Sequence, residues 1–171
     1  QFDPSSPGSD GALVVLQLRG GRSDWYEPRV IHFEHEVKGA LQCVSHLAMQ
    51  LGVDPSQTFV LVVTPTPRLY EWAVAFAATA GLNASRVAGV RPPVLAHLDR
   101  SGKAEAAEAM NYVVLETELM SRASALIVSS GFGETAADFG GVPPSKVVNL
   151  KWDALHERPI ACMPHLPEIW F

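Results

Sequence analysis

Two short and almost wholly apolar runs, Leu13-Val-Val-Leu-Gln-Leu18 and Thr58-Phe-Val-Leu-Val-Val-Thr64, most limit what this chain can fold into, and Ala125-Leu-Ile-Val128 repeats their pattern. Runs of this length without polar alternation read as strands covered on both faces, as in a parallel sheet. Helical patterns stand between them. Residues 34–51 carry Val37, Leu41, Val44, Leu47 and Leu51 at helical spacing and stop at Gly52. Pro67 opens a helix through Trp72, Phe76 and Ala80 to Gly81, and strong helix formers run from about Ala104 to Arg122. Val87–Val90 is a weak strand, and Lys146-Val-Val-Asn-Leu150 a candidate last one. The alternation predicts an α/β fold: a three-layer Rossmann-like domain with a mainly parallel sheet and helices on both faces.

This domain is expected over residues 11–150. A Pro/Ser/Gly leader over 1–10 reads as irregular, and the Pro-rich stretch 151–171 as an extended arm lying on a surface. The chain begins without Met or a signal peptide, as a processed chain or a piece of a longer one would. A length of 171 residues with 47% apolar content supports one domain with a full core. The formal net charge is −5 and no basic run appears, which argues against nucleic acid as a partner. No apolar stretch approaches the ~20 residues of a transmembrane segment. Cys43, in a helix, and Cys162, in the arm, neither establish nor exclude a disulfide. Asn83-Ala-Ser85 is a glycosylation sequon, of consequence only in a secretory compartment.

The chemistry is carried by strand ends. After Val128 the chain reads Ser129-Ser-Gly-Phe-Gly-Glu-Thr135 and enters an Ala-rich helix at about Gly133. Such a junction gathers backbone N–H groups, hydroxyls and the positive end of a helix, which suits a phosphate; a plain tight turn has the same outline. The first strand ends in Arg19-Gly-Gly-Arg-Ser-Asp24, which sets a guanidinium and two glycines where open α/β sheets keep their ligands. With Thr64 to Arg68 these junctions are expected on one rim.

The strand ends Gln17-Leu-Arg-Gly-Gly21, Val62-Val-Thr-Pro-Thr66 and Ser129-Ser-Gly-Phe-Gly-Glu-Thr-Ala136 occur in the order seen in one glycosyltransferase family. Over residues 12–150 the chain resembles the nucleotide-binding half of the fucosyltransferase superfamily, of the α1,6- and protein O-fucosyltransferase type, and so one half of a GT-B glycosyltransferase. The family's motifs are His-x-Arg, Thr-Asp or Ser-Asp, and Ser-x-Phe. The resemblance implies GDP-fucose or another GDP-sugar as donor substrate, no obligatory cofactor or metal, and a glycan or protein acceptor. It further implies passage through the secretory pathway. Arg19 matches the arginine set against the diphosphate and is the catalytic candidate, because a bidentate guanidinium stabilises a departing diphosphate. Gly20, Ser129, Ser130, Gly131, Phe132 and Thr135 are the donor-binding candidates, with Asp99 where the family often contacts the nucleoside. Two motif positions depart. Gln17 stands where the family has His, and Thr64-Pro65 lacks the acidic residue. The acceptor half is absent, so the chain offers one wall of a two-walled cleft. A non-catalytic module of the same fold is the alternative, with the apolar arm docking on a protein partner.

Other polar clusters read as structural. His32, Glu34, His35 and Glu36 suit a solvated helix start better than a metal site, which needs further ligands. Glu116 and Glu118 stand two apart on a helix, do not face each other, and read as surface residues. Gly131-Phe-Gly133 lacks the third glycine of a dinucleotide fingerprint. Trp25-Tyr26 reads as a loop anchor rather than a base-stacking pair.

Overall fold

The structure, a computed structural model of the chain, describes residues 11–19, 34–64, 66–90, 103–129, 131–150, 152–153 and 158–159. The strands are β1 (Leu13–Gln17), β2 (Phe59–Val63), β3 (Val87–Val90), β4 (Ala125–Val128) and β5 (Val147–Asn149). They form one sheet in the order β3-β2-β1-β4-β5, and every neighbouring pair is parallel. The helices are α1 (Glu34–Gln50), α2 (Pro67–Phe76), α3 (Lys103–Ser121) and α4 (Gly131–Gly140). The domain is therefore α/β, with the three layers and parallel sheet of a Rossmann-like fold.

Alternation along each strand sorts the side chains into two layers. Val14, Leu16, Val60, Val62, Ala125, Ile127 and Val148 lie in one cluster with the apolar stripe of α1 and with Leu69 and Ala73 of α2. Val15, Val63, Leu126, Val128 and Val147 lie in the other, with Met120 of α3 and Ala136 and Ala137 of α4. Both faces of β1 and β4 are buried, which is why those runs lack polar alternation. Glu34 and Glu36 in the first turn of α1 complement the positive end of that helix.

Three boundaries differ from expectation. The helix opened by Pro67 tightens after Phe76 into a 3-10 turn, Ala77–Ala80, before Gly81. The last helix starts at Gly131, two residues earlier than its alanines suggest. Glycine is a poor helix former, but close packing of Gly133 on β4 overrides that preference. The arm is not simply extended: β6 (Trp152–Asp153) pairs antiparallel with β7 (Arg158–Pro159), and β7 lies against α1. The leader 1–10 and most of the arm lie outside the described residues. No described helix is long and apolar enough to cross a membrane.

Candidate functional site

In this strand order the chain leaves β1 towards β2 and leaves β4 towards β5, so the connections diverge between β1 and β4. Open parallel sheets bind ligands in the crevice at such a switch point, beyond the carboxyl ends of the strands. β1 and β4 are held together up to that end. The ladder runs from Val14 opposite Ala125 to Leu16 opposite Ile127. Beyond it, the Arg19 N–H donates to Ser129 Oγ at 2.8 Å. Leu18 N–H donates to the Val63 carbonyl at 2.9 Å and Leu150 N–H to the Val128 carbonyl at 2.7 Å, so β2 and β5 are tied to the same rim.

The first turn of α4 opens directly on this rim. Its leading N–H groups have no intrahelical acceptor and carry the positive end of the helix dipole. The helix sits close because residue 133 has no side chain. A Cβ there would stand 2.7 Å from Gln17 Oε1 and 2.8 Å from Val128 Cβ. Gln17 is buried and its carboxamide lies against this turn, so it helps to seat α4. Its position at the polar end of an otherwise apolar strand is the signal by which the sequence marks it.

Of the expected site residues, the structure brings Arg19, Ser129, Gly131, Phe132 and Thr135 to this one rim. Arg19 is half-buried, Thr135 is exposed, and Ser129 is buried with its oxygen taken up by the Arg19 N–H. Ser129 thus braces β4 to β1. Gly20, Ser130 and Asp99 lie outside the described residues, as do His32 and the Trp25-Tyr26 pair. Thr64 is also turned inward: it is fully buried, and its hydroxyl accepts the Thr66 N–H at 3.2 Å. Arg68, at the start of α2, lies over the Trp72 ring at 4.5 Å.

The two described carboxyls with displaced pKa values lie elsewhere. Asp54, ahead of β2, is held below the usual range by hydrogen bonds from Ser56, the side-chain one first. Glu116 on α3 is pushed up by burial. The expectation that both Glu116 and Glu118 sit on the surface therefore fails for Glu116, which is half-buried; Glu118 is exposed and pairs with Arg122. Among the described residues, no group of three or more His, Cys, Asp or Glu side chains could hold a metal ion. The rim carries, among the described residues, the first-turn N–H groups of α4, the hydroxyls of Ser129 and Thr135, the Gln17 carboxamide and Arg19.

No family model, curated protein or solved structure compared with this chain matches it.

Proposed function

We propose that this chain is the nucleotide-sugar-binding half of a fucosyltransferase-like glycosyltransferase and takes a GDP-sugar, of the GDP-fucose kind, at the β1–β4 rim. One observation carries the reading. The Arg19 N–H bond to Ser129 Oγ sets the guanidinium-bearing end of β1 beside the start of α4, at the sheet's switch point. In the reaction an acceptor hydroxyl, of a glycan or a protein, attacks the anomeric carbon as the bond to the diphosphate breaks. Negative charge grows on the leaving oxygens, where the Arg19 side chain and the first-turn N–H groups of α4 stabilise it. No metal is needed for that neutralisation. The acceptor's proton goes to a base of the acceptor-binding half. The disulfide at Cys43 supports an oxidising compartment and hence the secretory pathway.

Gln17 supports a second reading, a binding module that has kept the fold without turnover. It places a buried, non-titrating amide where the family pattern has His.

Calorimetric titration with GDP, run on the wild-type chain and on Arg19→Ala, tests both. The enzyme reading expects micromolar binding, about −8 kcal/mol, and at least a tenfold loss in the variant. Absence of GDP binding to either protein refutes the donor site and leaves the module.

A further inference from the structure

We propose that Asn83 carries an N-linked glycan, at the end of the sheet remote from the β1–β4 rim. Asn83-Ala84-Ser85 is the one Asn-x-Ser/Thr triplet in the sequence, and Pro stands neither inside it nor just after it. The triplet does not carry the inference alone; two observations independent of it do. The first is the disulfide at Cys43, because disulfides form and persist in the oxidising lumen where such glycans are added. The second is how the fold displays the triplet. The proposal rests on passage through the secretory pathway and not on the donor site.

Asn83, Ala84 and Ser85 are all exposed, yet the segment is held at both ends. Leu82 before it and Val87 after it are buried, and the Leu82 N–H donates to the Ala77 carbonyl at 3.0 Å. Arg86 donates to the Gln57 carbonyl and to Gln57 Oε1, both at 3.0 Å, and lies over the Phe59 ring. The triplet is therefore an anchored surface turn, where a bulky sugar displaces only water. The Asn83 oxygen accepts from the Ser85 N–H at 3.0 Å and from the Ser85 hydroxyl at 2.8 Å. Both bonds fall on the oxygen. Glycosylation takes the nitrogen and leaves the carbonyl, so the cap on the turn Ala84–Arg86 survives it.

The turn leads into the amino end of β3, the outer strand of the sheet. All five strands run parallel, so this end lies opposite the carboxyl ends that form the rim, and β2 stands between β3 and β1. A glycan on Asn83 leaves the rim open. In the transfer the Asn83 amide nitrogen attacks the anomeric carbon of a lipid-diphosphate-linked oligosaccharide. A C–N bond forms, the C–O bond to the diphosphate breaks, and the lipid diphosphate leaves with that electron pair. One amide proton passes to a base of the transferring enzyme, and no oxidant or reductant takes part.

The site is tested on the full chain, produced behind a cleavable secretion signal in a eukaryotic cell. Peptide N-glycosidase, applied in water enriched in heavy oxygen, turns a glycosylated asparagine into an aspartate that carries the label. One step of faster gel migration is expected, with labelled aspartate at residue 83 in most chains. A secreted chain with unlabelled asparagine at 83 overturns the proposal. Asn83→Gln would also disturb the cap, so Ser85→Ala, which keeps Asn83 and the residue 85 N–H, is the deciding variant. It should lose the step and still melt cooperatively, while Ser85→Thr should keep the step. Retention of the step in Ser85→Ala overturns the assignment to Asn83. The same labelling of the protein from its own cells reads the compartment. Label at residue 83 there supports the proposal; unmodified Asn83 there overturns it through the secretory passage, and GDP titration of the chain is unaffected by either result.

Discussion

The two faces of the sheet are covered in different ways. On one, α1 presents a regular stripe, and Val37, Ala40, Leu41, Val44, Leu47 and Ala48 all disappear from solvent. On the other, α4 packs Ala136 and Ala137 closely on β4, but α3 is seated loosely. Among its described side chains only Met120 is fully buried, while Met110, Val114 and Leu115 are exposed. Apolar content alone does not decide which residues form a core. In α1 the apolar residues recur with the helical period and converge on the sheet; in α3 they are spread around the helix and can reach it only in part.

The largest expected effect sharpens this contrast. Leu41→Ala empties a fully buried site between α1 and the sheet and should cost about 3 kcal/mol. Val114→Ala on the outer side of α3 should change stability by less than about 0.5 kcal/mol. Urea unfolding with an unchanged slope is the measurement. A cost above about 2 kcal/mol for Val114→Ala would break the comparison, since it would mean that the exposed side of α3 is covered in solution.

A smaller effect tests the place where the loosely seated helix is pinned. α3 and α4 cross at Ser121 and Gly140, and a Cβ at 140 would stand 2.7 Å from Ser121 Cβ and closer still to Ser121 backbone atoms. An alanine in place of a helical glycine ordinarily stabilises by up to about 1 kcal/mol. Here backbone must move, so Gly140→Ala should destabilise by about 2 kcal/mol, and the sign alone is diagnostic. A stabilised variant in a thermal melt would mean that the crossing has room for a methyl group.

The same contrast explains what the sequence could be made to say. The strands β1, β2 and β4 were legible because an apolar run such as Leu13–Leu18 has few other uses, and α1 because its period is strict. From these the alternation, the parallel sheet and the rim followed, with Arg19 and Ser129 on it. What could not be read is long-range. Ser129 looks like a ligand hydroxyl in the sequence, and only pairing of β1 with β4 gives it to the Arg19 N–H. The early start of α4 depends on the missing Cβ of Gly133 facing Gln17, residues more than a hundred positions apart. The disulfide at Cys43 was open for the same reason, since spacing alone does not assign a bond between cysteines far apart in sequence. Glu116 was misread because a two-residue spacing from Glu118 describes their mutual orientation and not what the sheet side of the helix covers.

Glu116 supplies the smallest and most specific test of how α3 is seated. Burial raises its folded-state pKa above the ordinary value of 4.5. A carboxyl raised in this way favours the fold while it is protonated. Its contribution is fully present below about 4.5 and is lost as pH rises through the folded value. At neutral pH the ionised carboxylate therefore opposes the docking of α3, and Glu116→Gln should melt higher than wild type. The advantage should shrink on acidification and disappear once the carboxyl is protonated in both the folded and unfolded states. Parallel melting curves from pH 4 to pH 7 measure it. Equal melting temperatures throughout would mean that Glu116 keeps its water, and that α3 rests on the sheet through Met120 and its crossing with α4 alone.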